Sequence, residues 1–240
     1  MITIACLGSS STAGKGQAFD WIGKLAQSQR NRDVRFLNFG VGGDLAHNAL
    51  ERFNSVTDAE PDKIVVLIGG NDVLASVSTG ARRFYRWFKH LSCEPSPVSF
   101  RRNMVAIAHG LKRGSDARIG FCSLVPIGED MESADPFQQE LNQRLEEYSG
   151  IIRDVAGQEN LEYLPVYELL RREMIASPGR ALTSFRFLPL YRDAFRSLVL
   201  RKTSDEIAQM NGWRFHTDGV HLNRRGGTIV AEIVQQFIES

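Results

Sequence analysis

The run Ile64-Val65-Val66-Leu67-Ile68 constrains the fold more than any other stretch of the chain. It is apolar on both faces, whereas a strand with one face in water alternates apolar and polar residues. A two-sided apolar run belongs to the middle of a parallel sheet covered by helices on each side. Four other short apolar runs read as its neighbours: Ile2 to Leu7, Val34 to Phe39, Arg118 to Leu124 and Leu161 to Val166. The third run is taken as Lys63 to Ile68.

The intervening segments have helical period. Phe19, Ile22, Leu25 and Ala26 share one face, and Leu45, Ala49, Leu50 and Phe53 another. Met104, Ile107, Ala108 and Leu111 repeat the pattern, as do Leu141, Leu145, Tyr148, Ile152 and Val155. Ile229, Val230, Ile233, Val234 and Phe237 form the last such face. Strand and helix alternating in this rhythm predict right-handed βαβ units. The expected fold is therefore α/β: a three-layer α/β/α sandwich with about five parallel strands.

A chain of 240 residues, 42% of them hydrophobic, can bury one sizeable core. It is read as a single domain over 1–240, with helical insertions at about 73–97 and 177–211. Charged residues make up 24%, which argues against disorder and coiled coil. A net charge of +1 gives no sign of nucleic-acid binding. The apolar runs are far shorter than the ~20 residues of a membrane-spanning helix. Of three cysteines, Cys6 and Cys122 lie in predicted strands and Cys93 in a loop-like segment, and no C-x-x-C pair suggests zinc or redox chemistry. Buried free thiols fit a reducing compartment. Met1-Ile2-Thr3-Ile4 runs straight into a strand, without the basic and apolar regions of a secretory signal. A cytoplasmic location is expected.

Ligands of open α/β sheets bind beyond the carboxyl ends of the strands. Four segments can converge there: Gly8-Ser9-Ser10-Ser11-Thr12-Ala13-Gly14, Gly40-Val41-Gly42-Gly43-Asp44, Gly69-Gly70-Asn71-Asp72, and Asp218-Gly219-Val220-His221 before the last helix. The first is not a P-loop, because its glycine spacing is wrong and Lys15 is followed by Gly16 instead of Ser or Thr. Hydrolytic chemistry uses more of the set. A serine at a strand-to-helix turn can present its hydroxyl at the mouth of the site. It needs a base and a group that orients the base, and Asp218 with His221 supply such a pair. A tetrahedral oxyanion needs preorganised donors, which the Gly43 N–H and the Asn71 amide can offer.

This set resembles the SGNH/GDSL hydrolase family. The matching residues are Ser10 in GSSSTAG, Gly43 in VGGD, Asn71 in GGND, and Asp218 and His221 in DGVHLN, all in the family's order. Ser9 stands where the family usually has aspartate, and it is not the attacking residue. The resemblance implies the flavodoxin-like SGNH hydrolase sandwich and a Ser-His-Asp esterase. Ser10 would be nucleophile and oxyanion donor, Gly43 and Asn71 the other donors, His221 the base, and Asp218 its orienting partner. No metal or organic cofactor is implied. His216, two residues before Asp218, competes for the role of base, but the family pattern favours His221.

The insertions bear on substrate. In the first, Ala81, Phe84, Tyr85, Trp87, Phe88 and Leu91 read as one broad apolar face, opposite Arg82, Arg83, Arg86 and Lys89. The second carries Phe185, Leu188, Tyr191, Phe195, Leu198 and Val199 among Arg186, Arg192, Arg196, Arg201 and Lys202. The plainer reading is cap helices packed on the sandwich. The functional reading is a lid over an acyl pocket, with Phe84, Tyr85, Trp87, Phe88, Phe185 and Tyr191 meeting substrate and a basic rim favouring anionic esters or lipid surfaces. The expected substrates are carboxylic esters, from short acyl esters to lysophospholipids. A carbohydrate O-acetylesterase and a non-catalytic binding module on the same fold stay open as alternatives.

Overall fold

The computed structural model describes residues 1–16, 18–91, 94–185 and 187–240, with backbone alone at 187–191 and 194. Five strands, β1 (Ile2–Gly8), β2 (Val34–Gly40), β3 (Lys63–Leu67), β4 (Arg118–Cys122) and β5 (Glu162–Leu164), form one sheet in the order β2-β1-β3-β4-β5. Every pairing is parallel. The expected last strand is longer than the observed one. At its start the Leu161 N–H closes the preceding helix on the Ala156 carbonyl, and at its end Pro165 has no N–H to add to the ladder.

The helices in chain order are α1 (Ser10–Ala13), α2 (Trp21–Ala26), α3 (Ala46–Arg52), α4 (Asn54–Thr57), α5 (Gly70–Val77), α6 (Thr79–Phe88), α7 (Pro97–Gly114), α8 (Pro136–Gln158), α9 (Val166–Ala176), α10 (Phe187–Leu198), α11 (Ser204–Asn211) and α12 (Arg224–Glu239). Alternation along the strands sorts the core into two layers. Ala5, Leu7, Ile64, Val66, Ile119 and Phe121 point into the layer filled by α3, α5, α7 and α8. Ile4, Cys6, Val65, Leu67, Cys122 and Leu164 point into the layer filled by α2, α9 and α12. This two-sided burial is why β3 reads as a continuous apolar run.

The first expected insertion divides differently in space. Val73, Leu74 and Ala75 belong to α5 and are at most 1% exposed, so the stretch from 73 begins as core and only α6 and its flanks leave the βα rhythm. In the second, Arg186 and the side chains of Leu188 and Tyr191 lie outside the described residues, as does Cys93.

The strand ends set the stage for the site. Gly8 pairs with both Gly40 and Leu67, so the loops after β1, β2 and β3 leave the sheet at one level. The chain passes from β1 outward to β2 and returns to β3 on the other side of β1, and the resulting crevice is where open α/β sheets hold their ligands. Among the described residues, no helix is long and apolar enough to cross a membrane.

Candidate active site

Ser10 is the first residue of α1, directly after β1. This short helix is held by its neighbours more than by its own length. Asn38 on β2 donates its amide to the carbonyls of Thr12 (3.0 Å) and Ala13 (3.3 Å), and the Trp21 indole donates to that of Ser11 (2.8 Å). A side chain at Gly40 would place its Cβ 2.2 Å from the Ala13 nitrogen, so only glycine lets β2 approach α1 this closely.

The Asp-Gly-Val-His turn lies in a closed loop between His216 and Leu222, which pair as an antiparallel bridge. Asn223 locks its far end: the amide donates to the carbonyls of Arg214 and His216, and the side-chain oxygen caps α12 at Arg225 and Gly226. Asp218 Oδ1 accepts the N–H groups of Val220 (2.9 Å) and His221 (2.8 Å), leaving Oδ2 to accept from His221 Nδ1 at 2.7 Å. The other ring nitrogen, Nε2, is 2.9 Å from Ser10 Oγ. A proton on Nδ1 faces the carboxylate, so the lone pair on Nε2 faces the hydroxyl. That is the order in which a serine can be deprotonated.

Electrostatics supports the same assignment. Burial raises the Asp218 carboxyl, but the His221 charge and its hydrogen bonds outweigh burial and hold it below the usual carboxylate range. Burial lowers the basicity of His221, and the Asp218 carboxylate overrides that and leaves it raised. The pair is thus set to carry an imidazolium.

Gly43 occupies the left-handed region, with φ of 78°, in a turn closed by the Asp44 N–H on the Val41 carbonyl. Asn71 is buried in the first turn of α5, and its Nδ2 donates to the Asp44 carbonyl at 2.8 Å. That bond ties the β3 loop to the residue following Gly43. Arg52 ties in the remaining loops: it donates to the carbonyls of Gly8 (2.9 Å) and Phe39 (2.7 Å) and to Asp44 Oδ2 (2.8 Å). One guanidinium therefore gathers the ends of β1 and β2 and the Asp44 carboxylate.

Sequence reasoning did not reach Glu129, which is fully buried and clamps the loop carrying the histidine. Its Oε1 accepts the N–H groups of Phe215 (2.6 Å) and His216 (2.7 Å), and its Oε2 that of Arg214 (2.9 Å). It also meets His216 Nδ1 at 3.1 Å, while His216 Nε2 faces the Pro126 carbonyl at 2.9 Å. Each His216 nitrogen is thus turned to a fixed acceptor of the protein, and neither to a hydroxyl. No local signal could have found this, because the two partners lie 87 residues apart.

The residues expected to meet substrate separate in space. Tyr85 is 3% exposed, and its hydroxyl donates to Asn71 Oδ1 at 2.7 Å. Phe84 and Phe185 are partly buried against the core, and Phe84 stacks on Phe88 with centroids 4.6 Å apart. Trp87 and Phe88 are 81% and 68% exposed. The expected single apolar face fails because six apolar positions over three turns exceed one contact stripe: Trp87 lies about 200° round the helix from Tyr85. Tyr191 cannot be placed, since its side chain lies outside the described residues. The basic face also breaks up. Lys89 turns inward and donates to Asp44 Oδ1 at 2.8 Å, Arg82 donates to the carbonyls of Ala75 and Ser76, and Arg86 pairs with Glu94.

The GDSL-like lipase/acylhydrolase family model matches residues 6–228. The chain belongs to this family of ester-hydrolysing SGNH enzymes. Solved structures agree on the fold. An acetyl xylan esterase, AlAXEase, superposes with a TM-score of 0.64 at 19% identity, covering 99% of this chain and 100% of its own. The lipase/acylhydrolase from Enterococcus faecalis gives 0.62 at 19% identity, covering 100% of this chain and 96% of its own. Axe2, an acetylxylan esterase from Geobacillus stearothermophilus, gives 0.62 at 15% identity, covering 100% of this chain and 94% of its own. No curated protein matches in sequence.

Proposed function

We propose that this chain is a serine esterase working through an acyl-enzyme, with Ser10, His221 and Asp218 as its triad. The observation that carries the reading is the continuous relay from Ser10 Oγ to His221 Nε2 (2.9 Å) and from His221 Nδ1 to Asp218 Oδ2 (2.7 Å). Ser10 Oγ attacks the ester carbonyl while its proton passes to His221 Nε2. The carbonyl electrons move onto oxygen, and the N–H groups of Ser10, Gly43 and the Asn71 amide receive the resulting charge. Collapse of the tetrahedral species expels the alcohol, which takes the proton from His221. Water then repeats the sequence on the acyl-enzyme and frees the acid. No step calls for a metal or organic cofactor.

Lys89 is turned inward onto Asp44 and Arg86 is paired with Glu94, so these cations of α6 and its end already have carboxylate partners, and uncharged carboxylic esters are the first reading. A carbohydrate O-acetyl ester is the second reading. It is favoured by acetylxylan esterases among the similar structures and by the exposed Phe88 ring, an apolar surface of the kind sugar rings stack on. The exposed run Leu198, Val199 and Leu200 beside Arg201 and Lys202 is the surface through which a lipid interface would be met. The buried thiols of Cys6 and Cys122 support a reducing, cytoplasmic setting.

A fluorophosphonate probe tests the reading. The wild type is expected to be labelled and to hydrolyse p-nitrophenyl acetate, and Ser10→Ala to do neither while staying folded. Rates on acetylated xylooligosaccharide and on lysophospholipid then rank the substrates. A folded wild type that takes no label and hydrolyses none of the three would leave a binding module on this fold as the answer.

A further inference from the structure

We propose that α6 braces the oxyanion hole at two points, through Tyr85 on Asn71 and Lys89 on Asp44, so that both act as positioning residues for the reaction. The inference rests on the esterase reading and gives the inserted helix a role other than a lid.

The first brace concerns an amide with two faces. Asn71 can serve an oxyanion only through Nδ2, which carries two hydrogens. One is engaged by the Asp44 carbonyl at 2.8 Å, so the second must be held in the direction of the reacting oxygen. Tyr85 fixes that direction. Its hydroxyl donates to Asn71 Oδ1 at 2.7 Å, which pins the plane of the amide from the opposite end. A hydrogen bond into the amide oxygen also polarises the group and makes its N–H a stronger donor. Burial drives the Tyr85 hydroxyl well above its ordinary pKa, so it remains a neutral donor throughout the working range.

The second brace lies one turn further along the same face. Lys89 Nζ donates to Asp44 Oδ1 at 2.8 Å, opposite Arg52 on Oδ2. Its chain also lies against Gly43, where an added Cβ would come 2.9 Å from Lys89 Cε. Asp44 thus has its carboxylate held by two cations and its carbonyl by Asn71, and the donor loop at Gly43 cannot drift without breaking one of them. The Asn48 amide, donating to the Lys89 carbonyl at 2.9 Å, anchors the end of α6 to α3.

The test is a pair of variants read as kcat and KM on p-nitrophenyl acetate, with Ser10→Ala run alongside. Tyr85→Phe keeps the ring and removes the hydroxyl. It is expected to lower kcat about tenfold with KM within about twofold. Combined with Asn71→Ala, which alone loses on the order of a hundredfold, the same change should add less than about twofold, since the amide it orients is gone. Lys89→Met, at a partly exposed site, carries the test if the Tyr85 variant does not fold, and should also lower kcat with KM kept. An unchanged kcat in either variant overturns the brace. So does an equal tenfold loss from Tyr85→Phe with and without Asn71. Hydrolysis that survives in Ser10→Ala overturns the esterase reading, and this inference with it.

Discussion

Among the described residues, two buried histidine–carboxylate pairs stand only five residues apart in sequence on the histidine side, and the proposed reaction uses one of them. In both, a carboxylate faces Nδ1: Asp218 at 2.7 Å from His221, Glu129 at 3.1 Å from His216. In both, hydrogen bonds and the histidine charge outweigh burial and hold the carboxyl below its usual range. The pairs differ at Nε2. That atom of His221 faces a hydroxyl that can give up a proton, and that of His216 faces a carbonyl that can only accept one. A strong pair and deep burial therefore do not make a catalytic base. What stands at the second nitrogen decides whether such a pair can take a proton from a hydroxyl.

Each pair can be disabled separately. Ser10→Ala and His221→Ala are each expected to cut kcat by about ten-thousandfold or more while the thermal midpoint stays near wild type. Retained turnover in His221→Ala would move the base elsewhere and dissolve the contrast. Next in size is Asp218→Asn, expected to cost on the order of a thousandfold or more in kcat, because the imidazole loses the charge that stabilises its protonated form. The pH profile carries the sign. His221 must be neutral to act as base, and Asp218 raises its pKa, so activity should rise with pH on a limb above the ordinary 6.5. In Asp218→Asn that limb should move to lower pH. A limb that stays in place would mean that Asp218 does not set the basicity of His221.

The other pair should answer in stability. Glu129→Gln keeps the shape but takes the charge from an acceptor that gathers three backbone N–H groups and His216 Nδ1, at an expected cost of about 3 kcal/mol in urea unfolding. The residual folded enzyme should keep kcat within a few-fold. Because Glu129 is held below its ordinary 4.5, its contribution is complete above that pH and fades as acid is added, so wild type and variant should converge in stability at low pH. A variant as stable as wild type at neutral pH, but slow, would make Glu129 part of the chemistry and erase the distinction.

The comparison also shows what a sequence carries and what it does not. The DGVHLN block was legible because its parts act within six residues. The aspartate binds the histidine three positions on, and the asparagine caps the helix that follows. The two-sided burial of Ile64, Val65 and Val66 was legible for the same reason, since strand alternation is local. Glu129 was hidden, since the three residues its carboxylate binds, Arg214, Phe215 and His216, lie more than eighty residues away and nothing around it marks a clamp. On α6 the composition was visible but the rotation was not. Tyr85 and Lys89 face the site, while Trp87, the most conspicuous residue of the segment, faces solvent. Which part of an amphipathic helix meets the core depends on neighbours that arrive from elsewhere in the chain.

Another buried carboxyl, with no histidine beside it among its named partners, is expected to give the smallest effect. Asp72, beside Asn71, is met by backbone N–H groups, those of Ala46 and of its own residue. Burial dominates there and pushes the carboxyl up from 3.8 to about 7. The sign is opposite to that of Glu129. A raised acid favours the fold while it is neutral, so its contribution is full below 3.8 and is lost as pH climbs toward about 7. Each pH unit in that window removes about 1.4 kcal/mol from the wild type, or a few degrees of thermal midpoint in a chain of this size. Asp72→Asn keeps an acceptor for the Ala46 N–H and cannot ionise. Its midpoint should therefore gain on wild type by a few degrees per unit between pH 5 and 7 and hold a constant offset above that. A constant offset across the whole range would mean that Asp72 is ionised throughout, and that a buried carboxylate here needs no histidine to hold its charge.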